Sequence, residues 1–225
     1  MSSPSTDRRG LIGAGALIAG AGLVAGTARA QEADTGGTWK PAMEEQDAWM
    51  EIPGTRHRFI LDATATEAAG SLLGYADNYY RMNKLGYGLE PDKLGVIVVL
   101  RHLCTPYGYS DAIWSKHGKL FAKVMKLDEE LAKIAESRNP LLTPSDDDDT
   151  ANLTSLHEKG ALFAICGAAT HFVAQAIAKN SDGDAGAIEQ ELKEQLVPGG
   201  VMVPAGIVAV NRAQERGYAF AYVSE

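Results

Sequence analysis

The chain has 225 residues, enough for one good-sized domain or two very small ones. Its formal net charge is −8 and no basic patch stands out, which argues against nucleic acid or an acidic membrane surface as partner. Two cysteines, Cys104 and Cys166, exclude a disulfide-dense scaffold but leave room for one bridge.

Residues 1–30 read as an export signal. Arg8-Arg9 precede a mild apolar stretch, Gly10–Gly26, and Ala28-Arg29-Ala30 supplies an A-x-A cleavage pattern before Gln31. The paired arginines resemble a twin-arginine translocation signal, although the phenylalanine usual in that motif is missing. The apolar stretch is short and glycine-rich for a stable span, so no membrane anchor is expected once the signal is cut. An ordinary secretory signal or an uncleaved anchor is the other reading. Either way the expected compartment is periplasmic or extracellular, where thiols can oxidise.

Gln31–Thr55 is polar and broken by proline and glycine, with Trp39, Met43, Trp49 and Met50 interspersed. It reads as an irregular arm, either docked through its tryptophans or loose. The domain itself is expected over 56–225. Arg56–Asp62 alternates as a first strand. Thr64-Ala65-Thr66-Glu67 has the pattern of a capping box and opens a helix that runs to about Lys84. Leu94–Leu100, LGVIVVL, is a continuous apolar run rich in β-branched residues, as expected of a central parallel strand covered on both faces. It ends in Arg101-His102-Leu103-Cys104, so Cys104 lies just past the carboxyl end of a strand. Ser110 caps a second helix whose apolar stripe continues to about Glu136.

Asn139–Glu158 reads as a long irregular piece. Its run Asp146–Asp149 lacks the spacing of a calcium loop and is expected to be a solvated surface. Asn152-Leu153-Thr154 matches a glycosylation sequon, a weak match in this context. Ala161–Ile165 is a third strand, leading through Cys166 and Gly167 into a helix with Phe172, Val173, Ala176 and Ile177 on one face. A short helix from about Ala187 to Gln195 follows. The chain then gives a strand at Gly200–Val203, a helix at Ile207–Arg216 and a last strand at Tyr218–Val223.

Strand and helix therefore alternate to the end of the chain. That order predicts an α/β fold, a three-layer α/β/α sandwich with a mainly parallel five-stranded sheet. Periodicity does not fix the strand order.

Two segments resemble the DsrE/DsrF-like family of small α/β sulfur-relay proteins. One is the strand–cysteine–helix passage Leu162-Phe163-Ala164-Ile165-Cys166-Gly167-Ala168-Ala169. The other is the ending Val201–Ala219, with its strand, small-residue turn, helix bearing Gln214, and Gly217-Tyr218 before a closing strand. The likeness covers roughly Arg56 to Val223. It implies that Cys166 holds a persulfide, that a small sulfur compound is the partner, and that the chain assembles as a homo-oligomer, a trimer or hexamer. Under that implication Tyr75, Tyr79, Tyr80, Tyr107, Tyr109 and Trp114 are mainly subunit interface.

The residues themselves leave two readings of Cys166. It sits at the carboxyl end of a strand and the amino end of a helix, where ligands bind open α/β sheets and where the helix dipole favours a thiolate. It also fits a small buried hydrophobe. Cys104 and His102 are the accompanying candidates. The two thiols would bridge if their strands were adjacent and their α-carbons within about 7 Å. With His102 and His171 they form a set soft enough for zinc or copper, but without C-x-x-C spacing. Arg101 beside His102 forms a pair suited to orienting an anion or to acid–base work. His57 is expected at an exposed strand start, and His117 to pack within a helix stripe. No phosphate loop or haem-attachment pattern is present, so no cofactor and no resident metal are expected.

Overall fold

The structure is a computed structural model that describes residues 39–143 and 150–224. The expected signal and the aspartate run Asp146–Asp149 lie outside those residues. Five parallel strands, β1 (His57–Ala63), β2 (Leu94–Leu100), β3 (Leu162–Cys166), β4 (Gly200–Val203) and β5 (Ala219–Tyr222), form one sheet in the order β4-β3-β2-β1-β5. The seven helices of the described residues are α1 (Ala68–Tyr87), α2 (Asp111–Met125), α3 (Glu129–Ala135), α4 (Leu153–Glu158), α5 (Gly167–Asn180), α6 (Ala185–Glu194) and α7 (Gly206–Glu215). Among the described residues no helix is long and apolar enough to cross a membrane.

Side chains alternate across a strand, and the two cores follow from that period of two. Leu61, Ala63, Val96, Val98, Leu100, Phe163 and Ile165 face one layer, where α1, α2 and α5 supply Leu72, Leu73, Trp114, Phe121 and Ile177. Ile60, Ile97, Val99, Ala164 and Val203 face the other, where α7 supplies Ala209, Val210 and Ala213. β2, in the middle of the order, is buried along its whole length. The edge strands β4 and β5 are the more exposed.

One open choice is decided and three expectations are corrected. The segment before β1 is not a loose arm: Glu45–Met50 is a 3-10 helical turn, and Met50 is fully buried in the α7-side core. Tyr218 Oη donates to the Met50 carbonyl at 2.6 Å, Arg216 donates to the Glu44 carbonyl, and Arg58 pairs with Glu51 at 2.9 Å. Trp49 packs against the same core, whereas Trp39 is exposed.

The helix expected to run to Glu136 is two helices. Lys126 adopts a left-handed backbone (φ 54°), and Asp128 restarts the chain by accepting from the Leu131 N–H at 2.8 Å.

Asn139–Glu158 is not wholly irregular. Asn152 is a buried N-cap that exchanges hydrogen bonds with Ser155 and starts α4, so its side chain is spent on structure rather than offered at the surface.

The aromatics Tyr107, Tyr109 and Trp114 are interior, each fully buried, with Tyr107 stacked on Trp114 at 5.7 Å. Tyr80 is buried too and Tyr79 is half-buried, which leaves Tyr75 as the exposed member of that aromatic group.

Candidate functional site

The carboxyl rim of the sheet is where the apolar alternation of three adjacent strands gives way to polar residues. On the α7 face, Asp62 follows Ile60, Arg101 follows Val99, and Cys166 follows Ala164, each two residues on. The β2–β3 register pairs Leu100 with Ile165, so the next residues, Arg101 and Cys166, come level on neighbouring strands. The β1–β2 register sets Asp62 beside Val99, and β5 adds Tyr222 opposite Asp62. The result is a row Cys166–Arg101–Asp62–Tyr222 across four strands.

Asp62 is 1% exposed, and Arg101 holds it from two nitrogens: Nε donates to Oδ1 at 2.8 Å and Oδ2 at 3.1 Å, and Nη2 to Oδ2 at 2.8 Å. Such a forked pair fixes the guanidinium plane. These hydrogen bonds raise the Arg101 pKa; partial burial opposes them, and the charges of Asp62, Tyr222 and Cys166 reinforce them. The stem of Arg101 is pinned by α7. A Cβ on Gly206 would lie 2.7 Å from Arg101 Cβ and 2.8 Å from its Cδ, so only glycine lets the helix start so close. Tyr222 Oη and Thr64 Oγ1 share a hydrogen bond of 2.6 Å.

Cys166 is the N-cap of α5, and the Ala169 N–H donates to its sulfur at 3.4 Å. The residue is 7% exposed. Its carbonyl accepts from Thr170 Oγ1 at 2.9 Å, and Thr170 in turn accepts from Tyr109 Oη at 2.9 Å, which ties the strand end to the α2-side core. Gly167 is also packed tightly: a Cβ there would meet the Val203 carbonyl at 2.7 Å.

The other sequence candidates lie apart from this row. His102 begins the 3-10 turn His102–Gly108 with a positive φ of 54°, uncommon outside glycine and asparagine, and its side chain is exposed. That turn swings Cys104 into the opposite core, where its thiol donates to the Ala65 carbonyl at 3.1 Å and is fully buried. Burial pushes the Cys104 thiol up to about 12, with the charges of Asp62 and Glu67 adding to it. Cys104 and Cys166 are both free thiols, so the bridge that adjacency of β2 and β3 would have favoured is absent. His171 lies on the outer side of α5, its Nδ1 2.7 Å from Glu189 Oε2. Among the described residues no three His, Cys, Asp or Glu side chains converge on a metal position.

Asp62 was legible only as a charged residue ending an apolar strand, and its role needs the strand order. Arg101, read beside His102 in the sequence, belongs instead with Asp62 and Cys166.

The fold and rim together define a parallel α/β/α protein with a single thiol and a carboxylate-held arginine at the ligand-binding edge. The chain matches no known family model and resembles no curated protein at a significant level.

Proposed function

We propose that the protein is an exported, DsrE-like sulfur-handling protein in which Cys166 accepts a sulfane sulfur. The observation that carries this reading is the setting of that sulfur. It caps a helix, takes a backbone N–H, and belongs to a residue level with Arg101 at the end of the adjacent strand. A helix amino terminus, with its free N–H groups and positive dipole end, is a place where anions bind. The resemblance in Leu162–Ala169 and Val201–Ala219 supports the same role, and the signal-like residues 1–30 support a periplasmic site of action.

In the reaction, the Cys166 thiolate attacks the terminal sulfur of a persulfide, R–S–SH. The sulfur–sulfur bond of the donor breaks and its electron pair leaves with R–S⁻. Cys166 then carries the new S–S bond as a persulfide, whose negative charge Arg101 offsets. Onward transfer to a second thiol repeats the exchange, so no oxidant or reductant is consumed.

The test is mass spectrometry of the intact protein after polysulfide treatment. One sulfur gained on the wild type and none on Cys166→Ser supports the reading. A wild type that gains nothing overturns it.

A second reading, a non-enzymatic assembly module, is favoured by one observation. α1 exposes Tyr75, Met82, Leu85 and Tyr87, each more than half accessible. Under that reading the chain is a homo-oligomer that assembles through this helix, and Cys166→Ser leaves assembly unchanged. Light scattering on wild type and on Leu85→Glu decides whether α1 is an interface.

A further inference from the structure

A cavity of about 380 Å³ opens beside Cys166, within the range of about 300–1,000 Å³ usual for small-molecule sites. Gly167, the chain neighbour of Cys166, and Val203, its register partner on β4, both line it. Asp47 and Trp49 line it from the 3-10 turn, and Glu189 and Lys193 from α6.

The polar groups on these walls carry opposite charges, and Asp47 of the 3-10 turn is not paired with Lys193 of α6. Asp47 is 5% exposed, and its Oδ2 is buried without a hydrogen-bond partner. The closest cation, Arg212 Nε, stands 3.7 Å away, beyond hydrogen-bonding range, and Arg212 is engaged by Glu215 at 2.9 Å. A buried carboxylate oxygen left without a donor is costly, so the Asp47 carboxylate stands short of hydrogen-bond donors on the wall of the cavity. On the α6 wall both oxygens of Glu189 are taken, one by Lys193 at 2.6 Å and one by His171 at 2.7 Å. That contact uses one of the three N–H donors of Lys193 and leaves two for an anion. Trp49 and Met202 supply apolar wall between the charged groups.

Resting on the sulfur-accepting reading of Cys166, we infer that this cavity binds a small α-amino acid persulfide. Its ammonium donates to Asp47, its carboxylate accepts from Lys193, and its sulfur is directed to Cys166. The transfer is the exchange already written: the ligand's S–S bond breaks, its outer sulfur joins Cys166, and the amino acid departs as its thiolate.

The test separates the ligand from the chemistry. S-methyl-L-cysteine, which keeps both charges but holds no transferable sulfur, is titrated calorimetrically into the full chain at neutral pH. The comparison ligands are 3-(methylthio)propionate, which lacks the ammonium, and 2-(methylthio)ethylamine, which lacks the carboxylate. The expected result is binding of the zwitterion at least tenfold tighter than either analogue. Asp47→Asn and the surface substitution Lys193→Met should each remove that preference. Equal binding of the three ligands, or a preference that survives Lys193→Met, overturns the assignment. The polysulfide assay of Cys166 is run in parallel. Sulfur gained on Cys166 without zwitterion preference overturns the ligand assignment alone. A zwitterion bound by a protein whose Cys166 gains no sulfur overturns the relay reading.

Discussion

Arg101 grips Asp62 through three hydrogen bonds of 2.8–3.1 Å, and the two residues come from adjacent parallel strands 39 positions apart in the chain. Asp62 is nearly inaccessible, whereas the Arg101 side chain is 24% exposed. The pair therefore anchors a cation at the rim from an interior carboxylate.

Breaking this pair from one side should be expensive. Arg101→Met leaves Asp62 as a buried charge without a partner, and the expected loss is about 3 kcal/mol or more. Arg101→Met with Asp62→Leu should recover most of it, because the buried carboxylate and its partner then disappear together. Urea unfolding of the two singles and the double measures the coupling, and additive losses would contradict it.

The two thiols should behave differently in the native protein. Cys104 is fully buried and pushed up to about 12 by that burial, while Cys166 keeps a residual 7% exposure at the rim. Iodoacetamide at pH 8 should label Cys166 alone, with Cys104 reacting only after unfolding.

The same burial gives an alkaline signature. A thiol near 9 in the unfolded chain and raised to about 12 in the fold keeps its proton longer when folded. Its stabilising contribution is complete below pH 9 and is lost as pH climbs towards 12. The buried tyrosines Tyr80, Tyr107 and Tyr109 are raised from 10.0 and add their own loss above pH 10. Between pH 8.5 and 10 the slope should belong mainly to Cys104, so Cys104→Ala should flatten stability there.

His117 sets the acid side. Partial burial on α2 lowers its pKa; the charge of Glu191 opposes this and that of Lys116 adds to it. The folded state thus gives up the proton more readily than the unfolded chain. Stability should fall as pH drops below about 6.5, where the unfolded imidazole protonates first. His117→Gln should reduce that slope in thermal melts between pH 7 and 5, and an unchanged slope would rule His117 out as its source.

Two glycines should respond to alanine in opposite directions. At Gly118 an added Cβ would lie 1.6 Å from the Ala135 carbonyl oxygen, a backbone atom that moves only if α3 shifts away from α2. Gly118→Ala should cost about 3 kcal/mol or prevent folding. Gly86, inside α1, has nothing within 4 Å of that position, and Gly86→Ala should stabilise by about 0.5–1 kcal/mol. Chemical denaturation of both variants checks the pair.

How far these features could be read from the chain depends on whether their cause is local. LGVIVVL is apolar at every position because both faces of β2 are covered, and its boundaries follow from composition alone. The apolar run Phe59–Leu61 in β1 is similarly local, whereas α1 runs past Lys84 to Tyr87 and is closed by Gly88 in a left-handed conformation. The break at Lys126 was hidden because Leu127 and Leu131 keep the helical period across it. α4 was hidden because Asn152 reads equally well as loop, sequon or cap, and only Ser155 folding back on it decides. The rim row was hidden for a different reason. Asp62, Arg101 and Cys166 become neighbours through strand order and register, which no window of the sequence contains. Cys104 was misplaced because its position just past β2 says nothing of the turn that folds it under α1.

Met50 has a practical corollary for anyone handling the protein. It fills the layer that α7 alone would leave incomplete, and burying such a side chain is worth about 1.5–3 kcal/mol. A purification tag or fusion partner joined ahead of Pro41 keeps that plug seated. One joined at Arg56, just ahead of the first strand, amputates it and leaves a greasy slot on the underside of the sheet. The tidy truncation is the one to avoid.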